Sequence, residues 1–325
     1  MEEVLITFEP DPDERDQLNS ILGPVATVRY LSDCEESDRT KPLRSATALV
    51  AGNLRSEVRE DEYDQLASAR LIQILPAGAN RVPFEWIRDD IIIASNVGAY
   101  AEPMAEHVVA MILALAKDIV TQNEHLRQGE WDRSTDSRRV RGLTAGIIGF
   151  GGIGKEVARL LKVFETRIMA LNRTGKTEED VVFVGTLSDL KNVLSESDII
   201  VLSLPLTRHT RDLIGPEELS WMREDAILIN VARGALISES ALHDRAASTP
   251  TFRVGLDVWW DEPFTDGRFA TKSRILDLPN VIGSPHNSGH VPDMGASGAR
   301  RAAENVRRYL EGGTVTGIVD RSEYV

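Results

Sequence analysis

The sequence contains a single cysteine, Cys34, so no disulfide bond can form within the chain. Such a composition is typical of proteins from reducing compartments. The first ten residues lack the basic start and apolar centre of a secretory signal peptide. The longest apolar stretch, residues 104–116, contains Glu106 and is too short to cross a bilayer. We therefore expect a cytoplasmic protein that has no membrane partner.

Basic residues are few compared with acidic ones. The chain has 37 Lys and Arg against 51 Asp and Glu, a formal net charge of −14, and such a surface repels a phosphate backbone. Nucleic acid is therefore not expected as a partner. No His, Cys and Asp residues share the spacing of metal ligands, so no metal site is predicted. With 42% hydrophobic and 27% charged residues, the 325-residue chain has the composition of a folded protein, long enough for two domains.

A glycine-rich turn is the most informative motif of the chain. Residues 144–154 read TAGIIGFGGIG, and the apolar run before the glycines predicts a buried parallel strand. A helical pattern follows from Lys155, so its first N–H groups would face a bound phosphate. The motif predicts a dinucleotide site, although an ordinary tight turn between strand and helix remains the alternative. The residues predicted to bind the cofactor here are Gly149, Gly151, Gly152, Ile153 and Gly154.

Short apolar segments alternate with helical patterns along most of the chain, which predicts parallel sheets covered by helices on both sides. A smaller unit is predicted from strands at 3–8, 25–30, 46–51, 71–75 and 91–94. A larger unit is predicted from strands at 145–148, 167–171, 199–202, 226–229, 253–257 and 281–283. Both units are thus expected to be doubly wound α/β domains.

One long helix is expected over residues 104 to about 128, between the two groups of strands. Its apolar stripe includes Val108 and Ile112, and we interpret His107 on the same helix as a packing residue. An arginine-rich arm is expected over residues 127–141.

The segment after the second strand of the larger unit bears on the choice of nucleotide. An NAD site has a carboxylate at this position for the ribose hydroxyls, whereas this chain has Asn172-Arg173-Thr174. Asn172 carries no charge that would repel a 2′-phosphate, Arg173 offers a planar set of donors for one, and Thr174 adds a hydroxyl. NADP(H) is therefore favoured and NAD(H) remains possible. Alternatively, Arg173 stacks on the adenine or is a solvated loop residue.

Three further motifs follow strands of the larger unit. They are NVARG (230–234), DVWWDEP (257–263) and SPHNSG (284–289). Ligands of such sheets bind beyond the carboxyl ends of the strands, so Arg233, Glu262 and His286 are expected to meet near one nicotinamide. Each residue alone also fits a surface or loop role.

Taken together, these motifs resemble the D-isomer-specific 2-hydroxyacid dehydrogenase family, which includes glyoxylate/hydroxypyruvate reductases. The resemblance covers nearly the whole chain and also rests on Asn96-Val97-Gly98, Ala105-Glu106-His107 and the Leu204-Pro205-Leu206-Thr207 turn. It implies that Arg233 binds the substrate carboxylate and polarises the C2 carbonyl. It further implies that His286 is the general acid and base, and that Glu262 pairs with it. Histidine titrates in the useful range, and guanidinium gives a carboxylate two parallel hydrogen bonds.

The resemblance also implies a fold and further site residues. A Rossmann dinucleotide-binding domain (98–289) would be inserted in a smaller flavodoxin-like substrate domain (1–97 and 290–325). The backbone N–H groups of Ala77 and Gly78 would bind the substrate carboxylate, and Asp257 would hold the nicotinamide carboxamide. The other residues implied to contact the cofactor are Leu204, Pro205, Val231, Ala232 and Gly289.

The predicted function is hydride transfer between NAD(P)H and a small 2-oxo acid, giving a D-2-hydroxy acid. Two alternatives remain open at this point: a dinucleotide-sensing binding protein of the corepressor type, and a dehydrogenase of the same fold for another anion such as phosphite or formate. Because the family forms dimers through the long helix and the arm, we also expect a homodimer.

Overall fold

The structure is a computed structural model that describes residues 2–134, 136–263 and 269–324. The ends of the predicted substrate domain, Met1 and Val325, lie outside the described residues. So do Thr135 and residues 264–268 of the predicted dinucleotide-binding domain. The chain divides into two compact units, Met1–Tyr100 with Val291–Val325, and Ala101–His290.

The first unit is built on a five-stranded parallel sheet. Its strands are β1 (Glu2–Ile6), β2 (Ala26–Tyr30), β3 (Ala48–Ala51), β4 (Leu71–Ile74) and β5 (Ile92–Ala94). They lie in the order β2-β1-β3-β4-β5, with Val4 of β1 paired to Val28 on one side and Ala48 on the other. Leu5 and Ile6 are fully buried on opposite faces of the sheet, as expected for a doubly wound unit. This is the flavodoxin-like strand order.

Three helices follow the strands of this unit: α1 (Pro12–Leu22), α2 (Thr40–Ser45) and α3 (Leu54–Glu57). Helix α1 begins where the sequence signals a helix start. The Asp11 side chain accepts from the Glu14 N–H at 2.8 Å, and the Glu14 side chain accepts from the Asp11 N–H at 2.9 Å. Pro12 occupies the first turn, where its missing N–H costs no hydrogen bond.

The second unit is built on a seven-stranded parallel sheet. Its strands are β6 (Thr144–Ile148), β7 (Arg167–Leu171), β8 (Phe183–Gly185), β9 (Ile199–Leu202), β10 (Ile227–Asn230), β11 (Arg253–Leu256) and β12 (Val281–Gly283). The order β12-β11-β10-β9-β6-β7-β8 is the Rossmann order with one added edge strand. Its helices are α4 (Ala101–Ala116), α5 (Ile119–Arg127), α6 (Gly152–Lys162), α7 (Leu190–Glu196), α8 (Pro216–Trp221) and α9 (Glu239–Ser248). The fold class predicted from the sequence is confirmed.

The long helix expected over residues 104–128 is interrupted. Helix α4 ends at Ala116, and Asp118 adopts a left-handed backbone with φ of 54° before α5 begins. Helix α4 buries Val108 and Ile112, whereas α5 has no buried residue. The continuous pattern thus ends where the helix loses its contact with the core. No described helix is long and apolar enough to cross a membrane.

The chain returns to the first unit through helix α10 (Met294–Leu310), which packs against α1. The buried amide of Asn305 donates to Gln73 Oε1 of β4 at 2.6 Å and also accepts from the N–H of Thr316 at 2.9 Å. The following segment bridges β5 in the antiparallel direction, where Ile318 pairs with Ala94. These contacts hold the last residues on the five-stranded sheet.

Candidate active site

The glycine-rich turn follows β6, at the point where β6 and β9 are neighbours and the winding of the sheet reverses. Gly149 has φ of 104°, and an added Cβ would lie 2.6 Å from the Leu204 nitrogen after β9. The Ser203 hydroxyl donates to the Gly149 carbonyl at 2.8 Å. Only glycine fits this left-handed and crowded position, so the first glycine forms the tight turn.

The second and third glycines have opposite surroundings. An added Cβ at Gly151 would meet no atom within 4 Å, whereas one at Gly154 would overlap the Gly149 carbonyl and touch Ile147. Gly151 is the N-cap of α6 and provides no side-chain cap. The turn therefore has space for a pyrophosphate at Gly151 and close helix–strand packing at Gly154, the arrangement that a dinucleotide requires. Gly152 and Ile153 form the first turn of α6, where Ile153 packs partly against the core.

The loop after β7 is organised by Asn172. Its Oδ1 accepts from the N–H groups of Thr174 at 3.0 Å and Gly175 at 2.8 Å, and its Nδ2 donates to the Lys176 carbonyl at 2.8 Å. The side chain thus fixes the backbone of its own loop, in which Arg173 and Thr174 are exposed. The loop has no acidic side chain before Glu178.

The turn after β9 carries the predicted cofactor residues Leu204 and Pro205. Leu204 is buried in the core, and the Pro205 carbonyl accepts from the Thr210 hydroxyl at 2.7 Å. That hydroxyl also accepts from the Thr207 N–H at 2.8 Å. The turn is therefore held by the hydroxyl group of Thr210, five residues beyond Pro205.

Arg233 lies in a turn fastened by Asn230, the fully buried last residue of β10. Asn230 Oδ1 accepts from the Ala232 N–H at 3.0 Å, and Asn230 Nδ2 donates to the Arg233 carbonyl at 2.9 Å. Val231 is 1% exposed and packs in the core. Sequence reasoning gave Asn230 no role, although a polar residue at the end of a buried strand is a usable signal.

His286 and Glu262 form a direct pair. His286 Nδ1 lies 2.8 Å from Glu262 Oε1, which also accepts from the Trp259 N–H at 3.1 Å. The pair is partly shielded, with side-chain exposures of 30% for His286 and 11% for Glu262. An ionised carboxylate only accepts hydrogen bonds, so Nδ1 carries the hydrogen in this contact.

The positive charge of Arg233 also lowers the pKa of Glu262. Burial acts to raise the pKa of Glu262, but the hydrogen bond and charge of His286, the Trp259 N–H and the charge of Arg233 outweigh it and hold the pKa below its usual range. Glu262 is therefore ionised at neutral pH. The structure thus brings the three predicted catalytic residues into one electrostatic group.

Close packing fastens the three loops that carry these residues. An added Cβ at Gly234 would overlap the Trp259 carbonyl group, so only glycine allows the two loops to touch. The Trp260 indole donates to the Ile237 carbonyl at 2.6 Å, and the Trp259 indole donates to the Ser284 carbonyl at 2.9 Å. The paired tryptophans thus connect the Arg233 loop to the Glu262 loop and the Glu262 loop to the His286 loop. Sequence reasoning missed this role.

The remaining predicted residues are placed as follows. Asp257 is fully buried at the end of β11, and its carboxylate accepts from Ser284, Asn287 and Ser288. Gly289 is half-buried directly after that loop. Ala77 and Gly78 belong to the first unit, in the bend after β4, and both are half-buried. Among the described residues, no group of three or more His, Cys, Asp and Glu side chains is arranged to hold a metal ion.

Comparison with known proteins identifies the family of the chain. The family model described as D-isomer specific 2-hydroxyacid dehydrogenase, NAD binding domain, matches residues 109–288. The hydroxypyruvate reductase of Thermotoga maritima is 36% identical over 280 residues, covering 85% of this chain and 89% of that protein. The glyoxylate reductase of Aeropyrum pernix is 30% identical over 327 residues, covering 98% and 96%.

A solved structure is similar over the whole chain. The D-isomer specific 2-hydroxyacid dehydrogenase from Xanthobacter autotrophicus Py2, in complex with NADPH and MES, has a TM-score of 0.82 and 25% identity, covering 100% of this chain and 99% of that one. The chain belongs to the D-isomer-specific 2-hydroxyacid dehydrogenase family. It is a nicotinamide-dependent oxidoreductase, so the family, the enzyme class and the general cofactor predicted from the sequence are confirmed.

Proposed function

We propose that this enzyme reduces a small 2-oxo acid, such as glyoxylate or hydroxypyruvate, to a D-2-hydroxy acid and prefers NADP(H). The observation that carries the proposal is the hydrogen bond between His286 and Glu262 beside the charge of Arg233, on loops at the carboxyl edge of the seven-stranded sheet. A guanidinium for the acid group and an imidazole for proton transfer are the two protein groups that this reduction needs.

Each catalytic side chain has a defined task in the proposal. The reduced nicotinamide, when bound, supplies the hydride that goes to C2 of the substrate. Arg233 binds the carboxylate through two parallel hydrogen bonds and polarises the C2 carbonyl. His286 gives the proton on Nε2 to the oxygen that becomes the hydroxyl, while Glu262 keeps the imidazole oriented through Nδ1. In the oxidative direction Nε2 takes the proton back.

Further residues are proposed to bind the cofactor and the substrate. The turn at Gly149–Gly154 and the loops at Leu204–Pro205 and Val231–Ala232 would hold the dinucleotide, with Asp257 and Gly289 near its nicotinamide. Ala77 and Gly78 would bind the substrate carboxylate through their backbone N–H groups. In this assignment the first unit is the substrate domain (predicted as 1–97 and 290–325) and the second is the dinucleotide-binding domain (98–289).

The NADP(H) preference is supported by the loop after β7. Asn172 places no charge beside the expected 2′-phosphate and fixes the loop in which Arg173 and Thr174 are exposed. A planar guanidinium suits a phosphate group, and a hydroxyl adds one more donor. These features favour the phosphorylated dinucleotide.

The function is tested with a panel of 2-oxo acids. Purified protein is mixed with NADPH or NADH and with glyoxylate, hydroxypyruvate, pyruvate or oxaloacetate, and loss of reduced-nicotinamide absorbance is followed. We expect turnover that is higher with NADPH and is lost in His286→Ala. Binding of the dinucleotide without turnover of any 2-oxo acid would contradict the proposal and support a sensor. Turnover of phosphite or formate alone would support a dehydrogenase for another anion.

Assembly and location complete the proposal. We propose a homodimer, supported by the exposed apolar residues Ile119, Val120 and Leu126 on α5, each more than half exposed. The protein is further proposed to be cytoplasmic, in line with its single cysteine. Sedimentation equilibrium that shows only the 35.9 kDa chain would contradict the dimer.

A further inference from the structure

His286 has an unusual backbone conformation. Its φ is 53°, in the left-handed region that side-chain-bearing residues rarely adopt. Such a conformation persists only when the surrounding structure holds it in place. The loop around His286 must therefore contain contacts that fix this backbone.

The carboxylate of Asp257 provides these contacts on both sides of His286. Its Oδ1 accepts from the Ser284 hydroxyl at 2.6 Å and the Asn287 N–H at 3.0 Å, and its Oδ2 accepts from the Ser288 N–H at 3.1 Å. Ser284 comes two residues before His286, whereas Asn287 and Ser288 follow it. One fully buried carboxylate thus clamps the loop before and after the catalytic histidine.

His107 completes this arrangement from another element. It lies in α4, a helix that packs against β10 and β11, and its Nε2 is 2.8 Å from Ser284 Oγ. A serine hydroxyl has one hydrogen, and Ser284 gives it to the acceptor-only Asp257 carboxylate. Ser284 Oγ must therefore accept from His107, which fixes the hydrogen of His107 on Nε2. The Asp257 Oδ1 itself is 3.9 Å from His107 Nε2, too far for a direct hydrogen bond.

We propose that His107 is a positioning residue for His286 and acts through Ser284 and Asp257. The Nε2–H of His107 orients the Ser284 hydroxyl toward Asp257, and Asp257 then holds the loop that gives His286 its left-handed backbone. The proposal rests on the proposed function in one respect, since it takes His286 as the group that transfers the proton. It revises the interpretation of His107 as a packing residue only.

Kinetics provide the first test. We expect His107→Leu and Ser284→Ala each to lower kcat about tenfold, while the Kd for NADPH changes less than about twofold. His107→Gln should recover most of kcat because its amide N–H can donate to Ser284 Oγ. The double variant that combines His107→Leu and Ser284→Ala should have a kcat no lower than that of the slower single variant, since both changes break the same chain of hydrogen bonds. His243→Leu is the control and should match the unchanged protein, because His243 is a half-buried residue of α9 whose Nδ1 contacts its neighbour Asp244 at 3.3 Å.

Nuclear magnetic resonance supplies a readout that is independent of turnover. The chain has six histidines, so 15N-histidine labelling gives few side-chain signals, and His286→Gln identifies the signal of His286. We expect the Nδ1–H signal of the Glu262-bonded ring in the unchanged protein and in His107→Gln. In His107→Leu and Ser284→Ala this signal should shift or broaden beyond detection as the loop loses its fixed conformation.

Several outcomes would overturn the inference. It is wrong if His107→Leu keeps both kcat and the His286 signal. It is also wrong if His107→Leu and His107→Gln lose activity equally and only in proportion to a lower melting temperature, because His107 would then serve packing alone. If His107→Leu does not fold, Ser284→Ala and His107→Gln decide the question. If the unchanged protein turns over no 2-oxo acid, the proposed function fails, and the His286 signal still tests the positioning role.

Discussion

The backbone of Gly234 lies directly against the carbonyl group of Trp259, so an added Cβ would overlap it. This contact joins the loop that carries Arg233 to the loop that carries Glu262. The Trp260 indole reinforces the junction by donating to the Ile237 carbonyl. The approach of the two loops that carry these proposed catalytic residues thus depends on a glycine.

Gly234→Ala should consequently separate the two loops. Because a backbone atom cannot move aside as a side chain can, we expect a loss of about 1–3 kcal/mol in the free energy of unfolding. We also expect kcat to fall at least about tenfold. Chemical denaturation and steady-state kinetics measure both. Gly215→Ala is the matched control, since its added Cβ would meet only the end of the Glu218 side chain at 3.2 Å. Equal behaviour of the two variants would contradict the argument.

The glycines of the dinucleotide turn should respond differently to the same substitution. Gly151→Ala adds a methyl group in open space, so the protein should fold normally but bind NADPH at least about tenfold more weakly. Gly154→Ala would push α6 away from the turn and should lower the melting temperature markedly. Fluorescence titration and thermal unfolding separate the two effects. Unchanged NADPH affinity in Gly151→Ala would contradict the proposal that the dinucleotide binds at this turn.

The glycine-rich turn has the local structure that its sequence predicts. The strand, the glycines and the following helix are local features, so the pattern of residues 144–154 predicts them together. The parallel strands before Arg233, Glu262 and His286 are equally local, and their carboxyl ends necessarily share one edge of the sheet. The fold class and the grouping of these three residues could therefore be predicted.

What the sequence did not reveal depends on contacts between distant residues. Strand β8 lies at the edge of the sheet, and its apolar residues Phe183 and Val184 are only partly buried, so it forms through its pairing with β7. The break at Asp118 follows from the loss of core contacts, which helical periodicity does not record. The roles of Asn230, Trp259 and Trp260 are hydrogen bonds to backbone groups, and no motif specifies those partners.

The carboxyl group of Glu262 predicts a pH dependence of stability. Its pKa is held below the ordinary value of 4.5, so the folded state gains stability from the ionised carboxylate. The contribution is complete above the unfolded pKa and is lost as the pH falls through the folded pKa. Glu262→Gln should thus be less stable than the unchanged protein at neutral pH, and the difference should shrink below about pH 4.5.

Thermal unfolding of both proteins from neutral to acidic pH measures this difference. If the difference in melting temperature between the unchanged protein and Glu262→Gln stays constant or grows on acidification, the ionised Glu262 carboxylate does not stabilise the folded state. At neutral pH we also expect kcat of Glu262→Gln to fall at least about tenfold, because a neutral amide accepts a weaker hydrogen bond from Nδ1 and holds the His286 ring less firmly.

Arg233→Lys should mainly impair recognition of the 2-oxo acid. Lysine keeps the charge but lacks the two parallel donors that match a carboxylate. Loss of one charge-assisted hydrogen bond corresponds to about a 10- to 100-fold rise in KM for the 2-oxo acid. The Kd for NADPH should stay within about twofold of the original. Arg159→Lys, on the exposed side of α6 and paired with Glu156, is the control and should change neither constant. A normal KM in Arg233→Lys would assign the carboxylate to another group.

The choice of nucleotide is tested by Arg173, the second residue after β7. If its guanidinium binds the 2′-phosphate, Arg173→Ala should weaken NADPH binding about 10- to 100-fold and leave NADH binding nearly unchanged. Arg167, the exposed first residue of the same strand, offers a control at the opposite end of β7. Arg167→Ala should therefore bind both nucleotides normally. If Arg173→Ala instead weakens NADPH and NADH equally, the guanidinium contacts a part shared by both, such as the adenine, and the preference for NADP(H) has no basis in this loop.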